Sequence, residues 1–176
     1  MHTLIVGAPG VGKSTLIRRV LQTLDRPVFG FETKKEDAFA DAVNGSPVYI
    51  YDAGGPYVQR AENLVGYCKA RHTHPIREGF DRYAPKLRRP VPDDTIIQLD
   101  EIGTMESSST EFCSAILALL DGDIPVIAAV KEKDTPFLNA VRQHKNCRCF
   151  YITEENRDAL YEDVMAFFAH SGFHIG

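Results

Sequence analysis

A short run near the start of the chain combines glycines with a lysine and hydroxyl side chains. It reads Gly-Ala-Pro-Gly-Val-Gly-Lys-Ser-Thr and satisfies the pattern GxxxxGK[ST]. Glycines allow the backbone to approach an anion closely, and successive N–H groups then form a nest for phosphate oxygens. The Lys13 ammonium can reach the β- and γ-phosphates of a nucleotide, and the Ser14 hydroxyl can ligate Mg²⁺. The run predicts a phosphate-binding loop made of Gly7, Ala8, Pro9, Gly10, Val11, Gly12, Lys13, Ser14 and Thr15.

A phosphate loop of this kind needs a carboxylate at the end of another strand to hold Mg²⁺, and the sequence offers two. Asp100 and Glu101 follow the apolar run 95–99. Here Asp100 would hold the metal, directly or through water, and Glu101 would take a proton from the attacking water. The second candidate, Asp52-Ala53-Gly54-Gly55, matches the DxxG pattern of GTPase switch loops. The sequence has no NKxD motif to read guanine, which weighs against this alternative without removing it.

Cationic residues follow two of the later apolar runs. Lys131 ends the run that comes after Asp100, with Lys133 close behind, and Arg157 follows the last run. Ligands of parallel α/β folds bind at the carboxyl ends of the strands, so these side chains are expected at the same edge of the sheet. Such cations can stabilise charge in a transition state. We therefore predict a catalytic role for Lys131 and a nucleotide contact for Arg157.

Apolar runs alternate with amphipathic segments along the chain. The pattern predicts strands at 4–6, 28–31, 47–51, 64–68, 95–99, 125–130 and 147–152, and helices at 16–24, 75–87, 109–120, 136–144 and 154–169. Thr153 is the predicted N-cap of the last helix. This alternation indicates an α/β fold, with a mostly parallel sheet covered by helices on both faces. We expect one domain over 1–176, in which 54–92 forms an irregular insertion or lid-like segment.

Length and composition narrow the class of protein. The chain has 176 residues and a net charge of −4, which gives no clear signal of nucleic-acid binding. Its four cysteines form no CxxC pair, and no apolar run is long enough for a membrane helix. We expect a soluble, cytoplasmic protein that does not bind a membrane. The oligomeric state is left open.

Further runs in the sequence accompany the phosphate loop, in order, along nearly the whole chain. They are Gly30-Phe31-Glu32-Thr33, Val65-Gly66-Tyr67, Asp100-Glu101-Ile102-Gly103-Thr104-Met105-Glu106, 125–130, Asp134-Thr135-Pro136-Phe137 and 153–158. Together they resemble the nucleoside-triphosphatase family first described from thermophiles, which includes a human cancer-related nucleoside-triphosphatase. The segment 72–92 matches that family poorly.

The resemblance carries expectations about fold, reaction and site. It implies a three-layer, RecA-like P-loop NTPase fold. It also implies slow, Mg²⁺-dependent hydrolysis of ATP, GTP and other nucleoside triphosphates to the diphosphate, with broad base preference. Carried onto this sequence, Lys13 and Ser14 or Thr15 match the phosphate and metal positions, and Asp100 and Glu101 match the second acidic motif. On the resemblance, the choice between the two acidic candidates falls on Asp100-Glu101.

Two other functions are kept as alternatives. The same fold serves small-molecule and nucleotide kinases, in which an unknown acceptor would bind near 31–35 and 72–82 while water is excluded. A GTP-dependent switch or binding protein would instead use Asp52-Ala53-Gly54-Gly55. Phosphate release without any acceptor distinguishes hydrolase from kinase. Strong guanine selectivity would favour the switch.

Overall fold

The computed structural model describes residues 1–172 and builds them around one mixed sheet. The strands are β1 (His2–Gly7), β2 (Val28–Lys35), β3 (Ser46–Asp52), β4 (Leu64–Lys69), β5 (His72–Pro75), β6 (Ile96–Ile102), β7 (Val126–Lys131) and β8 (Cys147–Tyr151). The helices are α1 (Lys13–Leu24), α2 (Arg77–Leu87), α3 (Thr110–Asp121), α4 (Pro136–Arg142) and α5 (Arg157–His170). The last four residues, 173–176, lie outside the described part of the predicted domain.

The sheet has a parallel part and an antiparallel part. Its strand order is β5-β4-β3-β2-β6-β7-β1-β8. Neighbours from β2 to β8 run parallel, whereas β3, β4 and β5 each run antiparallel to the strand before. The carboxyl ends of β1, β7 and β6 therefore meet at one edge, with β7 between the other two. This edge receives the phosphate loop and the acidic pair.

The parallel strands are apolar on both faces because both faces are covered. Along β1, Leu4 and Val6 face one hydrophobic core while Ile5 faces the other. The first core lies against α2, α3 and α4, and the second against α1 and α5. Since successive side chains of a strand point to opposite faces, a continuous apolar strand implies this three-layer arrangement. The predicted α/β fold is confirmed.

Several predicted boundaries differ from the structure. The strand predicted at 95–99 continues to Ile102, so the acidic pair lies inside β6. The predicted helix 75–87 begins only at Arg77, because Pro75 pairs with Gly66 in the sheet. The last helix begins at Arg157 and not at 154, because the Thr153 hydroxyl accepts a hydrogen bond from the Asn156 amide in a separate turn.

The segment 54–92, predicted to be irregular, carries regular structure along much of its length. It supplies β4, β5 and α2, and the two strands form a hairpin at the end of the sheet. The α2 residues Phe80 and Leu87 are almost completely buried in the first core. Among the helices of residues 1–172, none is both long and apolar enough to cross a membrane.

An aromatic cluster connects α2 and α3 to the central strands. The Phe112 ring centroid lies 5.2 Å from that of Phe31 on β2 and 4.9 Å from that of Phe80 on α2. All three side chains are fully buried. Their packing holds β2 and the helices above it in place beside β6.

We expect Phe112→Ala to lower the free energy of unfolding by about 3–5 kcal/mol, because it leaves a cavity that a close-packed core fills only in part. The measurement is urea denaturation followed by circular dichroism. Phe39→Ala is the matched control, since Phe39 is 57% exposed and its truncation should change stability by no more than about 0.5 kcal/mol. Equal midpoint shifts in the two variants would contradict this account of the core.

Candidate functional site

The phosphate loop connects β1 to α1 and leaves the start of that helix open. Gly10 and Gly12 have φ values of 77° and 107°, a left-handed conformation that glycine adopts readily. Gly12 is the N-cap of α1, no side chain caps the helix, and no acidic residue lies in its first turn. The free N–H groups and the positive end of the helix dipole are therefore available to an anion. This is the local structure that the sequence pattern predicts.

Ser14 and Asp100 meet across the edge of the sheet. The Ser14 hydroxyl donates a hydrogen bond to Asp100 Oδ1 at 2.9 Å. Burial raises the pKa of Asp100 to about 6; the Ser14 hydrogen bond opposes this shift, and the nearby carboxylates of Glu101 and Glu32 add to it. A hydroxyl and a single carboxylate are hard oxygen donors of the kind that Mg²⁺ takes while keeping several waters. The two side chains thus fit the predicted metal site, and a bound cation would favour ionised Asp100.

Glu101 lies between two lysines. Its carboxylate oxygens are 3.4 Å from Lys13 Nζ and 3.5 Å from Lys131 Nζ. The Lys13 ammonium also donates to the carbonyls of Gly7 and Ala8, each at 2.8 Å. Two of the three donors of the ammonium are therefore used by these carbonyls, and Glu101 is held as an ion pair. The sequence-predicted Lys13, Glu101 and Lys131 are therefore brought together, although their catalytic roles stay a prediction.

Two residues that the sequence analysis did not single out support the acidic pair. The Glu101 amide donates to Thr33 Oγ1 at 3.3 Å. Glu106, only 2% exposed, accepts a hydrogen bond from the Gly103 amide at 2.9 Å. Burial raises the pKa of Glu106 to about 7; hydrogen bonds lower it, Glu101 raises it, and Lys131 lowers it. Both residues lie in the runs that carry the family resemblance, and those runs are the signal in the sequence by which the two residues could have been found.

The remaining predicted cations lie around the same loop. The Arg157 side chain passes over the phosphate loop: a Cβ on Gly12 would lie 3.9 Å from Arg157 Cδ. Lys133 lines a cavity of about 1020 Å³ together with Ala8, Pro9 and Lys131. Arg157 is thus close enough to contact a nucleotide held by the loop. That role remains a prediction.

The alternative acidic candidate, Asp52, is engaged elsewhere. Its carboxylate accepts a hydrogen bond from the Tyr83 hydroxyl at 2.8 Å and lies 3.4 Å from Lys86 Nζ. It ends β3, which runs antiparallel to β2, so it does not share the edge where the parallel strands end. Asp52 is therefore tied to α2 through Tyr83 and Lys86, whereas Asp100 is the carboxylate that contacts the phosphate loop through Ser14.

Three comparisons with known proteins agree with one another. A family model described as NTPase matches residues 2–165. The nucleoside-triphosphatase THEP1 of Pyrococcus abyssi is 32% identical over 172 residues, covering 94% of this chain and 90% of that protein. The cancer-related nucleoside-triphosphatase homolog of Mus musculus is 30% identical over 183 residues, covering 94% of this chain and 95% of that protein. The crystal structure of THEP1 from Aquifex aeolicus is similar with a TM-score of 0.72 and 24% identity, covering 95% of this chain and 98% of that one.

The buried Glu106 predicts a pH-dependent loss of stability. Its pKa is raised from 4.5 to about 7, so the folded chain binds a proton at Glu106 more tightly than the unfolded chain does. The stabilisation of the folded state by this proton is present in full below pH 4.5 and is lost as the pH rises through 7. Relative to Glu106→Gln, the wild type should therefore lose on the order of 2 kcal/mol of unfolding free energy between pH 5 and pH 8. Urea denaturation at both pH values measures this difference, and exposed Glu78→Gln serves as the control. A constant difference between wild type and Glu106→Gln would contradict the burial argument.

Proposed function

Because the chain belongs to the NTPase family, we propose that it hydrolyses Mg-ATP or Mg-GTP to the diphosphate and phosphate at its phosphate loop. Family membership confirms the resemblance seen in the sequence and identifies the chain as an enzyme of the nucleoside-triphosphatase class. The observation that carries the proposal is the position of Glu101. It lies between two lysines, beside the Ser14–Asp100 pair and at the open start of α1.

The phosphate chain would be bound mainly by backbone groups. The N–H groups from Gly10 to Thr15 would donate to the β- and γ-phosphate oxygens, aided by the dipole of α1. The Lys13 ammonium would exchange at least one of its present partners, the carbonyls of Gly7 and Ala8 or Glu101, for a phosphate oxygen. Because its stem is already buried, this exchange orders little additional side chain.

Ser14 and Asp100 would hold Mg²⁺ against the phosphates. The ion, when bound, supplies positive charge that neutralises the phosphate oxygens. Ser14 brings its hydroxyl from the first turn of α1, and Asp100 brings its carboxylate from the end of β6. Their present hydrogen bond of 2.9 Å supports a metal held between the two elements.

Glu101 would act as the general base. It is only partly exposed, and its backbone is fixed by the Thr33 hydroxyl. A carboxylate that accepts a proton from an aligned water lets the oxygen attack the γ-phosphorus as the bond to the β–γ bridging oxygen breaks. Lys131 would stabilise the negative charge that the terminal phosphate keeps through this step. Phosphate and a nucleoside diphosphate then leave.

A kinase acting on a small molecule is retained as the second candidate. The cavity of about 1020 Å³ beside Ala8, Pro9 and Lys131 has room for an acceptor next to the terminal phosphate. A kinase would keep phosphate release low until the acceptor is added. Steady release of phosphate from nucleotide alone would count against it.

We expect Glu101→Gln to reduce phosphate release from Mg-ATP and Mg-GTP by at least about 100-fold, because it removes the proton acceptor. Nucleotide affinity, measured by fluorescence titration, should change little. Glu111→Gln on the exposed face of α3 is the control for charge and fold. Full activity in Glu101→Gln would overturn the assignment of the base, and a wild type that binds nucleotide but releases no phosphate would overturn the hydrolase.

Arg157→Ala should weaken nucleotide binding about 3- to 10-fold with little change in kcat. The reason is that Arg157 passes over Gly12, where it contacts bound nucleotide and not the attacking water. Arg82→Ala, an exposed change on α2, should leave both constants unchanged. An equal fall in kcat and kcat/KM would instead place Arg157 at the reacting phosphate.

A further inference from the structure

The hairpin formed by β4 and β5 borders the same cavity as the phosphate loop. Its tip residues Arg71 and His72 line this cavity of about 1020 Å³ together with Ala8 and Pro9 of the loop. Lys131 lines this cavity and also lies 3.5 Å from Glu101. The cavity therefore opens on the place where the terminal phosphate is expected. An element from the antiparallel end of the sheet thus contributes to its lining.

The turn at the tip is made from unusual residues. Ala70 and Arg71 connect β4 to β5 as a two-residue turn, with φ values of 47° and 68°. A turn with two positive φ values favours Asn-Gly, because a Cβ is strained in the left-handed region. Alanine and arginine keep this conformation at a cost on the order of 1 kcal/mol each. Backbone strain of this kind clusters at active sites and ligand-binding turns.

The Arg71 side chain is available to a ligand. It is exposed, and no hydrogen bond or ion pair engages it among residues 1–172. The cavity wall also contains the cations Lys131 and Lys133; Glu132 in the wall and Glu101, 3.5 Å from Lys131 Nζ, offset part of this charge. A wall with this excess of positive charge suits an anionic group. The anion already expected there is the γ-phosphate.

We propose that Arg71 is an additional catalytic residue that contacts the terminal phosphate from the tip of the β4–β5 hairpin. The proposal rests on the hydrolytic function proposed above. As water oxygen bonds to the γ-phosphorus, the electron pair of the breaking bond passes to the β–γ bridging oxygen, and Glu101 accepts the proton. The Arg71 guanidinium donates hydrogen bonds to the oxygens on which charge is greatest in this step, and is not consumed.

A guanidinium fits this role better than an ammonium. Its planar fork donates two parallel hydrogen bonds to a phosphate and stays charged at any working pH. Lys13 and Lys131 both flank Glu101. Arg71 would add a third cation to the terminal phosphate, from the hairpin.

The test compares Arg71→Ala, Arg71→Lys and Arg71→Gly with the control Arg82→Ala. We expect Arg71→Ala to lower kcat for Mg-ATP by about 100-fold or more, with a change in KM below about 3-fold. Arg71→Lys should recover only part of this loss, because lysine keeps the positive charge but lacks the planar guanidinium that donates two parallel hydrogen bonds. Arg71→Gly should be as slow as Arg71→Ala yet have a higher Tm than wild type, because glycine fits the turn.

A second measurement does not depend on turnover. Mg-ADP with aluminium fluoride mimics the transferring phosphoryl group, whereas Mg-ADP alone does not. Arg71→Ala should lose affinity for the aluminium-fluoride complex by about the same factor as kcat and keep its affinity for Mg-ADP. Unchanged kcat would overturn the proposal. So would a rise in KM alone, which would make Arg71 a ground-state contact or a contact to an acceptor.

Failure of the proposed function would look different. The wild type would then release no phosphate, and a turnover assay would show no difference between it and Glu101→Gln. In that case the aluminium-fluoride titration still decides the role of Arg71. Equal affinities of wild type and Arg71→Ala for the complex would exclude a contact with the transferring group, and a selective loss would retain it.

Discussion

The site depends on keeping acidic groups ionised or hydrogen-bonded in a place that is largely removed from water. Asp100, Glu101 and Glu106 all lie at or just after the end of β6, and two of them are almost completely buried. Burying a carboxylate without a partner is costly, so each must be compensated. Ser14 compensates Asp100, the Gly103 amide compensates Glu106, and two lysines flank Glu101. The same contacts bring the phosphate loop to the acidic strand.

The strand order explains why this compensation is available. β7 lies between β1, which leads into the phosphate loop, and β6, which carries the acids. Lys131 ends β7 and therefore sits midway between the two. A cation at this position can contact Glu101 from one side while facing the cavity beside the loop. Had β6 been adjacent to β1, no third strand would end between the phosphate loop and Glu101. The order of the parallel strands thus places a lysine that offsets the charge of Glu101, and the same strands support the site.

The sequence predicted those parts of the structure that are set by local pattern. Buried strands, the phosphate loop and the Asp100–Glu101 pair could be found because periodicity and spacing depend on neighbouring residues. Partners from distant segments could not. Glu106 follows the acidic pair by only a few residues, yet nothing local shows that it turns back to bond the Gly103 amide. Arg71 was missed because only strand pairing reveals that Ala70 and Arg71 form a two-residue turn.

The antiparallel strands β3, β4 and β5 contain neither the phosphate loop nor Asp100 and Glu101. The phosphate loop, the proposed metal-binding pair and the proposed base all come from β1, β6 and α1 or the loop between them, and these elements contribute to the two cores. The tip of the β4–β5 hairpin lines the cavity beside the phosphate loop, while Val65 of β4 packs in the first core, and the exposed β5 ends the sheet. Under the proposed function, a substitution at the hairpin tip would alter the rate, or admit an acceptor, while the phosphate loop keeps its geometry. The Asp52 carboxylate accepts a hydrogen bond from Tyr83 and so joins β3 to α2. The residue that matches the GTPase switch pattern in sequence therefore helps to hold the antiparallel strands against the rest of the fold.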